Sequence, residues 1–175
     1  MKAVILAGGK GSRLKPYTTS FPKPLMPIGD KPILEILVRQ LSASGQKDII
    51  LAVGHLAELI ISFLGDGRQY GVTITYSRED TQLGTIGPLT PIKDKLKETF
   101  LVINGDTLTD LNYSKLLLNH KNSNCLATIA LTKREMEIAI CFKKNFPKKR
   151  FVFFWFFLYF LKVGFFGKIF LNKKN

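Results

Sequence analysis

An apolar strand, Ala3 to Leu6, runs directly into a turn that holds three glycines and two cations, Gly8-Gly9-Lys10-Gly11-Ser12-Arg13. No other feature of the 175-residue chain fixes so much about its fold. Glycines at 8, 9 and 11 let the backbone take positive φ and approach a ligand with no Cβ in the way. Successive backbone N–H groups in such a turn form a concavity that suits phosphate oxygens. Arg13 has the geometry to fork two of those oxygens, and Lys23, in Pro22-Lys23-Pro24, supplies a point charge. Two commoner glycine motifs do not fit. A Walker-type loop needs Gly-Lys followed by Ser or Thr, and Lys10 is followed by Gly11. A dinucleotide fingerprint needs glycine three residues after Gly11, where Leu14 stands. Glycine turns after strands often only reverse the chain. Arg13, Lys23 and the prolines at 16, 22, 24 and 27 weigh against that here.

Strand and helix signals alternate beyond this turn. A proline-rich loop covers 16–32. A helix follows, with Asp30 as its N-cap and Pro32 in its first turn. Ile33, Leu34, Leu37 and Leu41 recur at helical spacing, and Gly45 closes the helix. Strands are expected at 49–53, 72–76, 100–103 and 126–132, and helices at 56–64, from Pro88, and at 113–120. The Leu116-Leu117-Leu118 run reads as core, and 133–137 reads as an exposed turn. The rhythm predicts an α/β fold: a Rossmann-like, mostly parallel sheet flanked by helices on both faces. Ligands of such sheets bind outside the carboxyl ends of the strands. The glycine turn, Gly54-His55 and Asp106 all fall at those ends. A lone carboxylate such as Asp106 in Asn104-Gly105-Asp106 either caps the next turn or serves a ligand, and the residues alone leave both open. His55 reads first as a helix-start residue, with a base contact as the lesser reading. His120 reads as a solvated helix end.

The series Gly8-Gly9-Lys10-Gly11-Ser12-Arg13-Leu14-Lys15-Pro16-Tyr17-Thr18, then Pro22-Lys23-Pro24-Leu25, then Asn104-Gly105-Asp106, resembles the sugar-1-phosphate nucleotidylyltransferase family over residues 1–137. Ser12 replaces the family's usual Thr and keeps the hydroxyl. Glu79 to Leu89 is similar to the family's LGTAG-type segment, which lies over the base and ribose. Gly84 and Thr85 match it. Ile86 stands where Ala is usual, and would narrow the base pocket or repack behind it. Tyr70-Gly71-Val72 and Leu83-Gly84-Thr85 are most similar to the mannose-1-phosphate guanylyltransferase branch.

The resemblance implies that a nucleoside triphosphate and a sugar 1-phosphate give an NDP-sugar and pyrophosphate, with GTP and mannose 1-phosphate as the best pair. It assigns the nucleotide to Leu6, Ala7, Gly8, Gly9, Lys10, Gly11, Ser12, Arg13, Lys23, Gly84 and Thr85. It assigns catalysis to Arg13, Lys23 and Asp106, with Asp106 the ligand for Mg²⁺. The alternative is a non-catalytic nucleotide-binding or regulatory module.

Charge divides the chain into 1–140, the nucleotide-binding part, and 141–175, a basic aromatic tail. The tail holds nine of the 26 Lys and Arg, eleven of the fourteen Phe, and no Asp or Glu. The net charge of +13 therefore belongs mostly to the tail, and no recognition motif accompanies it, so nucleic acid is not the expected partner. Family members continue well past this point with a sugar-binding face and a second metal-binding Asp, neither of which is found here. Phe, Lys, Leu, Asn and Ile are what A/T-rich codons specify. The expectation is a reading-frame shift near residue 138 and a truncated, poorly active form. The apolar run 151–161 is shorter than the ~20 residues a span needs, so the minor reading is an interfacial anchor. Cys125 and Cys141 give neither a disulfide framework nor a metal spacing, and no secretory pattern opens the chain, which points to the cytoplasm. Oligomeric state is left open.

Overall fold

The fold grows from strands that are apolar on both faces. In the computed structural model, which describes residues 1–79, 81, 84–123 and 125–131, β1 (Lys2–Ala7) comes first. Then follow β2 (Pro27–Ile28), β3 (Lys31–Pro32), α1 (Ile33–Ala43), β4 (Asp48–Val53), α2 (Ala57–Leu64), β5 (Thr73–Arg78), β6 (Phe100–Asn104) and α3 (Tyr113–Asn122). They belong to one compact unit, Met1–Ala130. The second unit is Leu131–Asn175, of which Leu131 alone is described. Leu83, Thr132, the 133–137 turn and the basic aromatic tail lie outside the described residues.

Four strands form a wholly parallel sheet in the order β5-β4-β1-β6. Ala3, Val4 and Ile5 of β1 and every residue of β4 from Ile49 to Val53 are buried, the continuous apolar run of a sheet covered on both sides. One face carries Ile5, Leu51, Val53 and Ile103 against Leu34, Leu37, Val38 and Leu41 of α1, Ile60 and Leu64 of α2, and Tyr113 of α3. The other carries Val4 and Ile50 against Ile92 of a 3-10 helix over Gly87–Lys95. Both faces are thus helix-covered, though only the first by α-helices. Full burial of each such Leu, Ile or Val side chain stabilises by about 1.5–3 kcal/mol. The register pairs Ala7 with Val53, Val53 with Arg78 and Leu6 with Asn104, so all four strands end at one edge.

Several expectations change. Asp30 does not cap α1. It sits in the turn between β2 and β3, where the Lys31 ammonium donates to its carboxylate at 2.6 Å and holds that carboxyl below its usual range. The helix begins from Pro32, and the Ile33 N–H donates to Met26 O at 3.1 Å. The helix expected from Pro88 is 3-10, because Pro91 inside it lacks the N–H that an α-helical bond would use. No strand forms over 125–131. Leu126, Ile129 and Leu131 are 106%, 69% and 82% exposed, and apolar composition makes no strand without a ladder partner. Leu118 is exposed rather than core, while Leu116 packs against the first cluster.

Candidate functional site

From β1 the chain crosses to β4 and β5 on one side, then returns to place β6 on the other. The carboxyl ends of β1 and β6 therefore flank a topological switch point, where open α/β sheets form a crevice. A cleft of about 660 Å³ opens there. Leu6, Ala7, Gly8, Gly9, Gly11, Ser12, Arg13, Lys23, Gly84, Thr85 and Asp106 all line it. Lys10 is exposed and lies outside the lining.

Each charged group reaches the cleft for a local reason. Gly11 takes φ +59°, and the Leu14 N–H donates to Gly11 O at 2.9 Å to close the 3-10 turn Ser12–Leu14 that carries Arg13. Behind the loop, the buried Thr18 hydroxyl donates to the same Gly11 carbonyl at 2.9 Å. Lys23 opens the 3-10 turn Lys23–Leu25. Pro22, Pro24 and Leu25 are buried around it, so its backbone is fixed while its amine faces the cleft. Asp106 follows β6. The Gly105 N–H donates to Leu6 O at 2.8 Å, and a Cβ at Gly105 would stand 3.2 Å from that oxygen. Backbone contact with β1 thus holds the turn that presents Asp106.

The Lys23 ammonium donates to Asp106 Oδ2, an ion pair whose side chains are 36% and 35% exposed. The Asp106 carboxylate is therefore open to a cation. Asn104 also lines the cleft and adds a hard oxygen donor. Among the described residues no group of three His, Cys, Asp or Glu converges on a point. Few hard protein oxygens beside a phosphate-shaped turn suit Mg²⁺, which keeps waters and shares substrate phosphates.

Gly84 and Thr85 form part of the wall, with Gly84 at φ +76°. Ile86 is 71% exposed and outside the lining, so it neither narrows the cleft nor repacks behind it. His55 is not in the lining either. Its ring Nε2 lies 3.1 Å from Thr18 O. His120 Nδ1 is 2.9 Å from Thr128 Oγ1 at the end of α3. Glu79, Pro88 and Asn104 join the lining without having been singled out. The signal for Glu79 and Asn104 was their place at strand carboxyl ends. A Cβ on Gly8 would stand 2.6 Å from Glu79 Oε1, so glycine there lets that carboxylate close on the loop. No helix among the described residues is long and apolar enough to cross a membrane.

Known proteins are similar to this chain in sequence and fold. The nucleotidyl transferase family profile matches residues 2–139. A mannose-1-phosphate guanyltransferase of Yarrowia lipolytica is 43% identical over 139 residues, covering 77% of this chain and 38% of the relative. The probable mannose-1-phosphate guanylyltransferase 3 of Oryza sativa subsp. japonica is 41% identical over 138 residues, covering 76% of this chain and 38% of the relative. The chain thus spans under two fifths of the length of these curated relatives. Among solved structures, a putative glucose-1-phosphate thymidylyltransferase from Bacillus anthracis superposes with a TM-score of 0.66 at 33% identity, over 71% of this chain and 51% of its own.

Proposed function

The chain belongs to the nucleotidyl transferase family, among the sugar-1-phosphate enzymes, and we propose that its cleft binds a nucleoside triphosphate for transfer to a sugar 1-phosphate, with GTP and mannose 1-phosphate as the pair. The observation that supports this most is the convergence of Arg13, Lys23 and Asp106 on a glycine-rich turn at the sheet's switch point. This reading gives residues 1–140 to nucleotide binding and sets 141–175 apart.

The chemistry follows from the charges. An oxygen of the sugar phosphate attacks the α-phosphorus, a new P–O bond forms there, and the bond from the α-phosphorus to the bridging oxygen breaks. Pyrophosphate leaves with the electron pair. No base is needed, because a phosphate monoester with a second pKa of about 6 is already largely ionised at neutral pH. The protein's part is to position and to neutralise. Backbone N–H groups of the glycine turn cradle the phosphates. Arg13 forks the β- and γ-phosphate oxygens and then the departing pyrophosphate. Lys23 offsets charge growing around the α-phosphorus. At rest Lys23 and Asp106 neutralise each other, and the phosphates compete for the lysine. Asp106, with Asn104 nearby, would hold Mg²⁺, whose charge screens the triphosphate.

The guanine and mannose assignments rest on the relatives' names and on the Tyr70-Gly71-Val72 and Leu83-Gly84-Thr85 segments together. They are tested by incubating the chain with mannose 1-phosphate or glucose 1-phosphate, Mg²⁺, and GTP, UTP, dTTP or ATP in turn. Products are separated by anion exchange. Turnover by this chain is expected to be low, with GDP-mannose and pyrophosphate in equal amounts leading the panel. A lead by UDP- or dTDP-glucose would contradict the choice of base and sugar.

A further inference from the structure

We infer that His55 is a positioning residue for the glycine-rich turn, holding both ends of the Gly8–Gly11 span in the shape that receives phosphate. This rests on the proposal that the turn binds nucleotide phosphates. His55 itself stays outside the cleft lining. It reaches the turn by two routes. Its backbone N–H donates to Gly8 O at 3.5 Å, and its ring Nε2 lies 3.1 Å from Thr18 O. A carbonyl oxygen only accepts, so Nε2 carries the proton and donates. Thr18, 2% exposed, passes the constraint on through its hydroxyl to Gly11 O at 2.9 Å. One residue at the end of β4 thus reaches the first glycine directly and the last through a single buried threonine.

The surroundings of His55 are built for this contact. Gly54 lies against the turn so closely that a Cβ there would stand 3.0 Å from Gly8 O and 3.2 Å from Gly8 Cα. On the other side Leu56 holds φ +55°, a left-handed conformation that costs a non-glycine residue about 1–2 kcal/mol. Such strain persists only where neighbouring contacts over-determine the backbone. The Ala57 N–H donates to Gly54 O at 3.2 Å and closes the turn around Leu56, beside the two contacts of His55.

The test uses the full chain and three variants at position 55. The Gln side chain carries a nitrogen in the place of His Nε2, whereas Asn carries one in the place of Nδ1. His55→Gln therefore keeps the donor, and His55→Asn and His55→Ala lose it. Amide hydrogen exchange of Leu14, whose N–H donates to Gly11 O, and of residue 55, whose N–H donates to Gly8 O, measured without ligand, reads the turn itself. Exchange there is expected to quicken about fivefold in His55→Ala and His55→Asn, the worth of one hydrogen bond, and to stay near wild type in His55→Gln. Exchange in β1 is expected to be unchanged in all three, which separates loosening of the turn from loss of fold. Calorimetric binding of GTP with Mg²⁺ is expected to weaken in the same pattern. Unaltered exchange in His55→Ala, or exchange in His55→Gln as fast as in His55→Asn, overturns the inference. If the wild-type chain binds no nucleotide, the proposed function falls, and the exchange comparison still decides the role of His55.

Discussion

Gly11 shows how much of the site rests on single atoms. Its φ of +59° is left-handed, and a Cβ there would stand 2.8 Å from Thr18 Cγ2 and 3.3 Å from Lys23 Cβ. Gly11→Ala is expected to cost about 1–2 kcal/mol of stability by urea denaturation and to displace Lys23 along with the turn. Gly9 has nothing within 4 Å of the same atom, so Gly9→Ala is expected to stay within about 0.5 kcal/mol of wild type. In any active form of the enzyme, Arg13→Ala and Lys23→Ala are each expected to lower turnover at least tenfold, about 1.4 kcal/mol, in steady-state assays of pyrophosphate release. Turnover equal to wild type would contradict their roles. That Arg13 and Lys23 line one cleft was legible because each is set by glycine or proline beside it, whereas Asp106 was singled out only through the resemblance. The link from His55 to Thr18 was not legible. It joins residues 37 apart that meet only when β4 pairs with β1.

Elements were legible where one kind of burial governs a whole run. The apolar strands β1, β4 and β6 and the spaced leucines of α1 announce themselves within a residue or two. The β2–β3 pair was not read, because two residues on each side of a Gly-Asp turn leave no periodicity. The missing strand at 125–131 is the opposite case, a suitable composition that pairs with neither edge of the described sheet. Leu51, fully buried in β4, is expected to lose about 2–5 kcal/mol on change to Ala in the same urea measurement. Asn112 caps α3 by accepting from the Lys115 N–H at 2.9 Å, and Asn112→Ala is expected to cost about 0.5–2 kcal/mol.

Tyr76 of β5 gives an alkaline test. Its hydroxyl donates to Gly65 O at 2.6 Å, and burial, more than the neighbouring Tyr70 and Asp66, pushes its pKa up to about 12. The folded state keeps this proton where the unfolded chain, with an ordinary tyrosine pKa of about 10, has lost it. Stability from this group is therefore full below about pH 10 and lost as pH rises toward about 12. Tyr76→Phe is expected to flatten that decline in thermal melts across the window.

At the scale of the molecule, a parallel sheet sends every strand's carboxyl end to one edge, and the order β5-β4-β1-β6 opens that edge beside β1. A glycine turn, an arginine, a lysine and an aspartate drawn from separate stretches of sequence meet there for that reason. The alternation of strands and helices foretold the edge, and the motif foretold which residues line it. What covers each face, three α-helices on one and a 3-10 helix on the other, depended on packing that no local pattern encodes. The cleft's affinity for a triphosphate decides the proposed function. The most direct measurement is isothermal titration of the chain with GTP in the presence of Mg²⁺, beside Arg13→Ala. One saturable site, weakened at least tenfold in the variant, is expected. Absence of binding by GTP, UTP, dTTP and ATP alike, or equal affinity in Arg13→Ala, would contradict it.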